Sequence, residues 1–343
     1  MTVRDVIRGL SSRAQWERVA ARKLRAALRW ETAADWLRSG VAAEPWAGAM
    51  SASFNVTILQ PPGYAHSQAL GEVWVYLADT LKRCGYKARA SINELSQHDH
   101  NILLCGHLLS ADLARQLPRN TIVFNSEKLE QADGWYLSSG AYAEMLQTFP
   151  VWDYSSRNIA RIPHDRKAQI PLYYTAALKK SLPRQNNGPL LFYGCMTDHR
   201  AAILNGLQQA GLPVSVVPFG VYGDARDRLM YQALAVLNLH TDHERKVFEP
   251  VRCFHPLING VPVITEEFHD EPMFDVYRQS TFVTGSDVVG DIVRLLADRD
   301  AFHSAADLRC TMFAASDPLP DIRMAAEAYL AGWNAQGRSS ISA

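Results

Sequence analysis

Residues 246–267 read KVFEPVRCFHPLINGVPVITEE. Phe254, Leu257 and Ile258 fall at helical spacing and make one apolar face. Gly260 then stops the helix, and VPVIT begins a short buried strand. A helix feeding directly into an apolar strand is half of a βαβ unit. At the head of that helix Glu249 and Arg252 stand at i and i+3, on one face of the first turn. Two such groups are rarely buried unless paired. They form either an internal ion pair or the polar edge of a ligand site.

The same rhythm extends in both directions. Before it come strand LLFYG, helix DHRAAILNGLQQAG, strand PVSVVPFG, helix GDARDRLMYQA and strand LAVLNLH. After it come strand TFVTG and helix DVVGDIVRLLADRD, with a helical tail to about Trp333. An earlier series runs FNVTILQ, the helix within SQALGEVWVYLADTLKRCGY, KARASI, HNILLCG, NTIVFN, FPVWDYSS and AQIPLYY. Strands alternating with helices imply parallel sheets. The breaker-rich KKSLPRQNNGP, 179–189, separates the two series. The expected organisation is α/β, with two Rossmann-like doubly wound domains, 51–180 and 187–330, facing a cleft where strand ends put their loops. Residues 1–50 precede them as a helical segment.

Composition limits the function. The chain has 343 residues, 48% hydrophobic and 20% charged, which suits packed domains rather than disorder. Lys and Arg number 35 and Asp and Glu 35, so no net charge draws it to nucleic acid. Cys84, Cys105, Cys195, Cys253 and Cys310 are scattered with no C-x-x-C pair, which predicts free thiols in a reducing compartment and no zinc site. The start of the sequence lacks the apolar core of a signal peptide, and no long apolar run would span a membrane. A cytoplasmic location is expected.

Three strand-end loops hold polar groups where a cleft would lie. After LLFYG, Gly194 lets backbone approach a ligand, and a helix begins near Asp198, His199 and Arg200, which suits an anion. In FGVYGDARDRL, Gly220 and Gly223 flank Tyr222, and Asp224 is placed to cap the following helix. Asn238 and His240 end the strand LAVLNLH, ahead of Glu249 and Arg252. Glu266 ends the strand VPVITE. Look-alikes are set aside: His98 and His100 flank a turn, and Asp298–Asp300 imitates a metal-binding Asp-x-Asp but follows a helix.

Taken together, LLFYGCMTDHRAAILNGLQQAG, FGVYGDARDRLMYQALAVLNLH and FEPVRCFHPLINGVPVITE resemble the nucleotide-binding half of a GT-B-fold glycosyltransferase. The pattern YG…GVYG…LNxH…FExxR is similar to that of a bacterial group of glycosyltransferase-like proteins, and PPGYAHSQALGEVW resembles the first strand–loop–helix of such enzymes. The resemblance implies a nucleotide-sugar donor in the cleft and no cofactor. It implies Gly194 and Arg200 by the diphosphate, Tyr222 and Gly223 by the base or ribose, and His240, Glu249 and Arg252 around sugar and phosphates. Asn238 and Glu266 complete the donor set. Glu249 and His66, the latter in GYAHSQ, are the candidate catalytic groups, His66 as acceptor base. The chain departs from the paired-Glu pattern of retaining enzymes: Leu257 stands eight after Glu249, and His255 is nearest the usual second Glu.

The resulting expectation is a metal-independent glycosyltransferase of polysaccharide type, with a glycan, lipid-linked or protein acceptor. The rivals are a GT-B-shaped binding or scaffold protein without turnover, and a nucleotide-sugar epimerase. Donor sugar, base, acceptor and stereochemistry stay open. Residues 1–50 hold nine Lys and Arg against five Asp and Glu, and Trp16, Trp30, Trp36 and Trp46. That composition suits packing on the α/β body, a homodimer contact, or peripheral contact with an anionic membrane at its inner face. Removing residues 1–50 is expected to turn a dimer into a monomer or to abolish binding to anionic vesicles, read by sedimentation and co-flotation. A truncated protein that aggregates would instead mark an exposed core face.

Overall fold

Continuous runs of β-branched and aliphatic residues can be buried on both faces only if helices cover a parallel sheet on each side. The computed structural model shows this twice. It describes residues 29–30, 52–129, 140–218, 220–242, 246–269 and 271–339. Two compact units result: one is Leu172–Asp317, the other joins the described residues through Pro171 to those from Pro318 onward.

In the latter unit β1 (Arg29–Trp30) pairs in parallel with β4 (Glu94–Leu95). The remaining strands are β2 (Ser53–Ile58), β3 (Lys87–Ile92), β5 (His100–Leu104), β6 (Thr121–Asn125), β7 (Val151–Asp153) and β8 (Lys167–Gln169). They form one parallel sheet in the order β3-β2-β5-β6-β7-β8. Its helices are α1 (Gly71–Arg83), α2 (Ala111–Ala114), α3 (Gly140–Thr148) and α4 (Ser156–Ile159). α1 buries Val73, Tyr76, Leu77 and Leu81, a helical stripe, and Tyr76 satisfies its hydroxyl on the Pro171 carbonyl at 2.6 Å. The helical segment expected over 1–50 lies outside the described residues except for Arg29–Trp30, which is strand rather than helix.

In the Leu172–Asp317 unit the strands are β9 (Leu190–Phe192), β10 (Val214–Val216), β11 (Ala235–Asn238), β12 (Val263–Glu266) and β13 (Phe282–Thr284). They pair in parallel in the order β10-β9-β11-β12-β13. The helices are α5 (Asp198–Gln209), α6 (Gly223–Gln232), α7 (Pro250–Ile258), α8 (Asp275–Ser280), α9 (Val288–Leu295) and α10 (Arg299–Ala314). The core joins Leu190, Phe192, Leu207, Leu237, Ile264 and Phe302. The chain passes from β9 outward to β10, then returns to β11 on the other side of β9. That reversal is the switch point at which open α/β sheets bind ligands.

The last helix, α11 (Leu319–Ser339), finishes the β1–β8 unit. It buries Ile322 and Ala326, and its Tyr329 hydroxyl lies 3.0 Å from His100 Nδ1. Burial lowers the His100 imidazole below its ordinary value. The units therefore divide at Pro171 and at Asp317, whereas the sequence expectation set the linker at 179–189 and ran the second domain to 330. The polar 179–189 stretch is fastened instead to the ends of α6 and α7. Lys179 Nζ donates to Ile258 O at 2.9 Å, Lys180 N to Asn259 Oδ1 at 2.8 Å, and Gln185 N to Tyr231 O at 2.8 Å.

A buried polar chain fixes this corner. Asp227 is 1% exposed and accepts from Arg226 Nη2 at 2.9 Å and His255 Nε2 at 3.0 Å. Asn259 spans His255 Nδ1 at 3.3 Å, the Leu178 carbonyl at 3.1 Å and the Tyr231 hydroxyl at 2.7 Å. None of the five cysteines is in a disulfide. Burial pushes the Cys105 thiol up to about 12 and Cys310 to about 11. Among the described residues no helix is long and apolar enough to cross a membrane.

Burial alone would raise the Asp227 carboxyl, but His255 and Arg226 hold it below its ordinary value. A depressed carboxyl stabilises the fold above its unfolded value of about 4, and that stability is lost as pH falls through the folded value. Asp227→Ala is expected to cost about 3–5 kcal/mol at neutral pH, measured by urea unfolding. Wild-type stability is expected to drop on acidification below about pH 4, with a shallower drop in Asp227→Asn.

Candidate active site

The strand ends at the switch point leave backbone carbonyls with no ladder partner, and each must find a donor. Two arginines supply them. Arg200, in the first turn of α5, is 4% exposed. Its Nε donates to Leu239 O at 3.1 Å and His240 O at 2.8 Å, Nη1 to Cys195 O at 2.5 Å, and Nη2 to Leu239 O at 2.9 Å. Arg252, in the first turn of α7, donates from Nε to Tyr193 O at 2.9 Å and from Nη1 to Asn238 Oδ1 at 2.6 Å. The Tyr193 hydroxyl returns a bond to Arg252 O at 2.8 Å. Both guanidiniums lie over the Phe192 ring, 5.4 and 5.6 Å from its centroid. Burial and the adjacent Arg252 charge push the Arg200 guanidinium down to about 10, against the pull of Glu249 and Glu266. It remains a cation at neutral pH.

Gly194 makes this approach possible. Its φ is +143°, and a Cβ there would lie 2.9 Å from Arg252 Nη2. Thr197 caps α5, its hydroxyl accepting from Arg200 N at 3.4 Å.

Glu266, the last residue of β12, is 6% exposed. Its Oε1 lies 2.7 Å from His199 Nε2, and its Oε2 accepts from the His240 backbone N–H at 2.5 Å. The His240 ring sets Nδ1 3.0 Å from Val247 O and Nε2 2.8 Å from Glu267 O. Asn238 donates to Thr265 Oγ1 at 3.0 Å. One network therefore joins the loops after β9, β11 and β12.

Of the residues expected at the site, Gly194, Arg200, Asn238, His240, Arg252 and Glu266 converge here. Glu249 sits at the N-cap of α7, half-buried, with Arg252 N donating to its carbonyl at 3.0 Å. Tyr222 is the N-cap of α6 and Gly223 its first residue, at φ +56°. Arg226 brings that helix start against the Tyr193 ring, 5.5 Å from its centroid. Asp224 does not cap α6 as expected: Tyr222 takes the cap position, and Asp224 lies inside the first turn, paired with Lys180 at 3.1 Å. His66 belongs to the other unit, in a 3-10 turn over Ala65–Leu70, its ring 5.3 Å from that of Tyr64. Asp298 caps α10, accepting from Ala301 N at 2.9 Å. His255 is committed to Asp227. His199, which the sequence marked only as part of the helix start suited to an anion and not as an expected site residue, joins the network through Glu266.

No protein-family model matches the chain. Uncharacterized protein L140 of Acanthamoeba polyphaga mimivirus is 26% identical over 234 residues, covering 62% of this chain and 72% of that protein. Uncharacterized protein L138 of the same virus is 26% identical over 166 residues, and the match spans 46% of this chain but only 19% of L138. Among solved structures, Anabaena Alr3699/HepE in complex with UDP and glucose matches at TM-score 0.54 and 11% identity, over 82% of this chain and 100% of that one. WaaG, a glycosyltransferase involved in lipopolysaccharide biosynthesis, matches at TM-score 0.50 and 10% identity, over 80% and 98%. This chain has their architecture, two Rossmann-like parallel-sheet units of the GT-B kind.

Gly194→Ala should force Arg252 off its partners. The expected result is a loss of about 1–3 kcal/mol in stability, by denaturant unfolding, with Gly211→Ala as comparison: φ is +82° there and no atom lies within 4 Å of the added Cβ.

Proposed function

We propose that this chain is a glycosyltransferase that binds a nucleotide-sugar donor at the switch point of its Leu172–Asp317 unit. The observation that carries the reading is the convergence of glycine-bearing loop, helix start, two arginines and a buried carboxylate at the ends of β9, β11 and β12. The fold supports it, since HepE with the same architecture is found in complex with UDP-glucose.

Cleavage of the donor's glycosidic bond leaves negative charge on a nucleoside diphosphate. A preorganised positive environment stabilises that charge without rearrangement. Here it comes from the start of α5 and the fixed Arg200 and Arg252 cations, so the reading needs no metal. Glu249 at the start of α7 is assigned to the donor's hydroxyls, and Tyr222 and Gly223 to the base or ribose. His66 is assigned as the base for an acceptor hydroxyl. The acceptor is a glycan, lipid-linked or protein hydroxyl.

One observation favours a second reading, a donor-binding scaffold without turnover. His255, nearest the usual second Glu, is buried and bonded to Asp227, so it offers no carboxylate or base to a ligand.

A thermal-shift screen of nucleoside diphosphates and their sugars tests both. A true ligand at 100 times its Kd stabilises by about 2.7 kcal/mol. Glu249→Ala is expected to abolish transfer while the fold survives, and wild-type activity is expected to persist with a chelator. Binding with no turnover under any acceptor would favour the scaffold. Conversion of the donor to an isomeric sugar nucleotide without acceptor would indicate an epimerase.

A further inference from the structure

We propose that His240 is held as an imidazolium in the folded chain, a cationic clamp between the loops after β11 and β12, and that it is a positioning residue for those loops.

His240 is buried, and both of its ring nitrogens meet backbone oxygens. Nδ1 lies 3.0 Å from Val247 O, and Nε2 lies 2.8 Å from Glu267 O. A carbonyl oxygen only accepts. A neutral imidazole carries one N–H, so it satisfies one carbonyl and turns a lone pair toward the other. The ring relieves that contact only by letting go of one loop. Both contacts are hydrogen bonds when both nitrogens are protonated, and bonds from an ionised donor are the stronger kind.

The charged groups of the surrounding elements divide over this cation. Arg200 on α5 donates to the His240 carbonyl, and Arg252 on α7 donates to the Leu239 carbonyl beside it. These two charges, with burial, oppose protonation. Glu266 on β12 accepts from the His240 backbone N–H at 2.5 Å and favours it, as do Glu249 at the head of α7 and Asp242 two residues on. In the loops themselves Lys246 is paired with Glu267, and His199 with Glu266. His269 N donates to Lys246 O at 3.1 Å, a second tie between the same two loops. The two carbonyls decide the balance, because a buried acceptor that loses its donor bears the full cost of its desolvation.

Val247 stands two residues before Glu249, and Glu267 follows Glu266. The ring therefore joins the backbone on which both carboxylates of the site are carried. Its bearing on a donor rests on the donor-site reading above; its charge does not. A histidine kept protonated by the fold stabilises it fully below the unfolded value of about 6.5, and that stability is lost as pH rises through the folded value.

Nitrogen NMR of the isotopically labelled full chain tests the clamp. At about pH 7.5, a unit above the ordinary histidine value, the His240 ring is expected to carry a proton on each nitrogen. On further rise it is expected to lose one, and the His269 amide is expected to shift with the same midpoint. Through-bond correlation to the His240 backbone assigns the ring, so no variant is needed for this reading. In denaturant unfolding, the advantage of wild type over His240→Gln is expected to be largest near about pH 6 and to shrink toward about pH 9. A ring with a single proton at about pH 7.5 overturns the proposal. A charged ring whose titration leaves the His269 amide unmoved overturns the clamp, and so does an advantage over His240→Gln that is constant or grows with pH. None of these measurements uses a donor. A neutral ring therefore leaves the proposed function standing, and a chain that binds no sugar nucleotide leaves the clamp standing.

Discussion

The carbonyls of Tyr193, Cys195, Leu239 and His240 turn inward at the switch point, where no neighbouring strand can reach them. A guanidinium has five donors in a rigid plane and can serve several carbonyls at once, which an ammonium cannot do as well. Two of them, stacked over Phe192, hold these loops in one arrangement. Placing two like charges so close is unfavourable, and after burial, the larger cause, the Arg252 charge lowers the Arg200 guanidinium further. The ring face of Phe192 and the carboxylates of Glu249 and Glu266 offset the repulsion. The other features of the site depend on this pairing: Gly194 is glycine because Arg252 occupies its Cβ space, and His240 is placed because Arg200 holds its carbonyl.

α7 is secured at both ends by different chemistry. Its first turn is tied through Arg252 to the loops after β9 and β11. Its last turn is tied through His255 and Asn259 to α6 and to the 178–180 segment. A helix so fixed holds Glu249 on a rigid base, as the proposed donor site would require before charge develops. His255 contributes to that rigidity from a position where a related pattern would put a carboxylate. The same helix that carries Glu249 and Arg252 is thus also a junction of the unit's polar interior.

Much of this was legible in the chain. The alternation of apolar runs and amphipathic helices specified parallel α/β units, because only strands covered on both faces can be apolar throughout, as β9 is. The glycines at 194, 220, 223 and 260 marked turns, and each has positive φ. Strand-end polar residues pointed to the loops in which the Arg200, Arg252 and Glu266 network forms, because open sheets gather their strand-end loops along one edge. The two-residue strand Arg29–Trp30 was not legible, since its pairing with Glu94–Leu95 depends on a distant partner.

The sequence by itself determined the order of elements, the two parallel sheets and the loops that hold the polar residues, since periodicity and turn chemistry act over a few neighbours. Tertiary structure alone decided which distant partner each polar group meets. Arg200 and His199 are adjacent in sequence and alike in charge type, yet one is bonded to carbonyls some forty residues away and the other to the end of a third strand. It also decided that α11 completes the first unit and that 179–189 is bound down rather than loose. The physical reason is the same in each case. A buried donor or acceptor must be satisfied by whatever the fold brings beside it, and no local rule names a partner that the chain reaches only after it has folded.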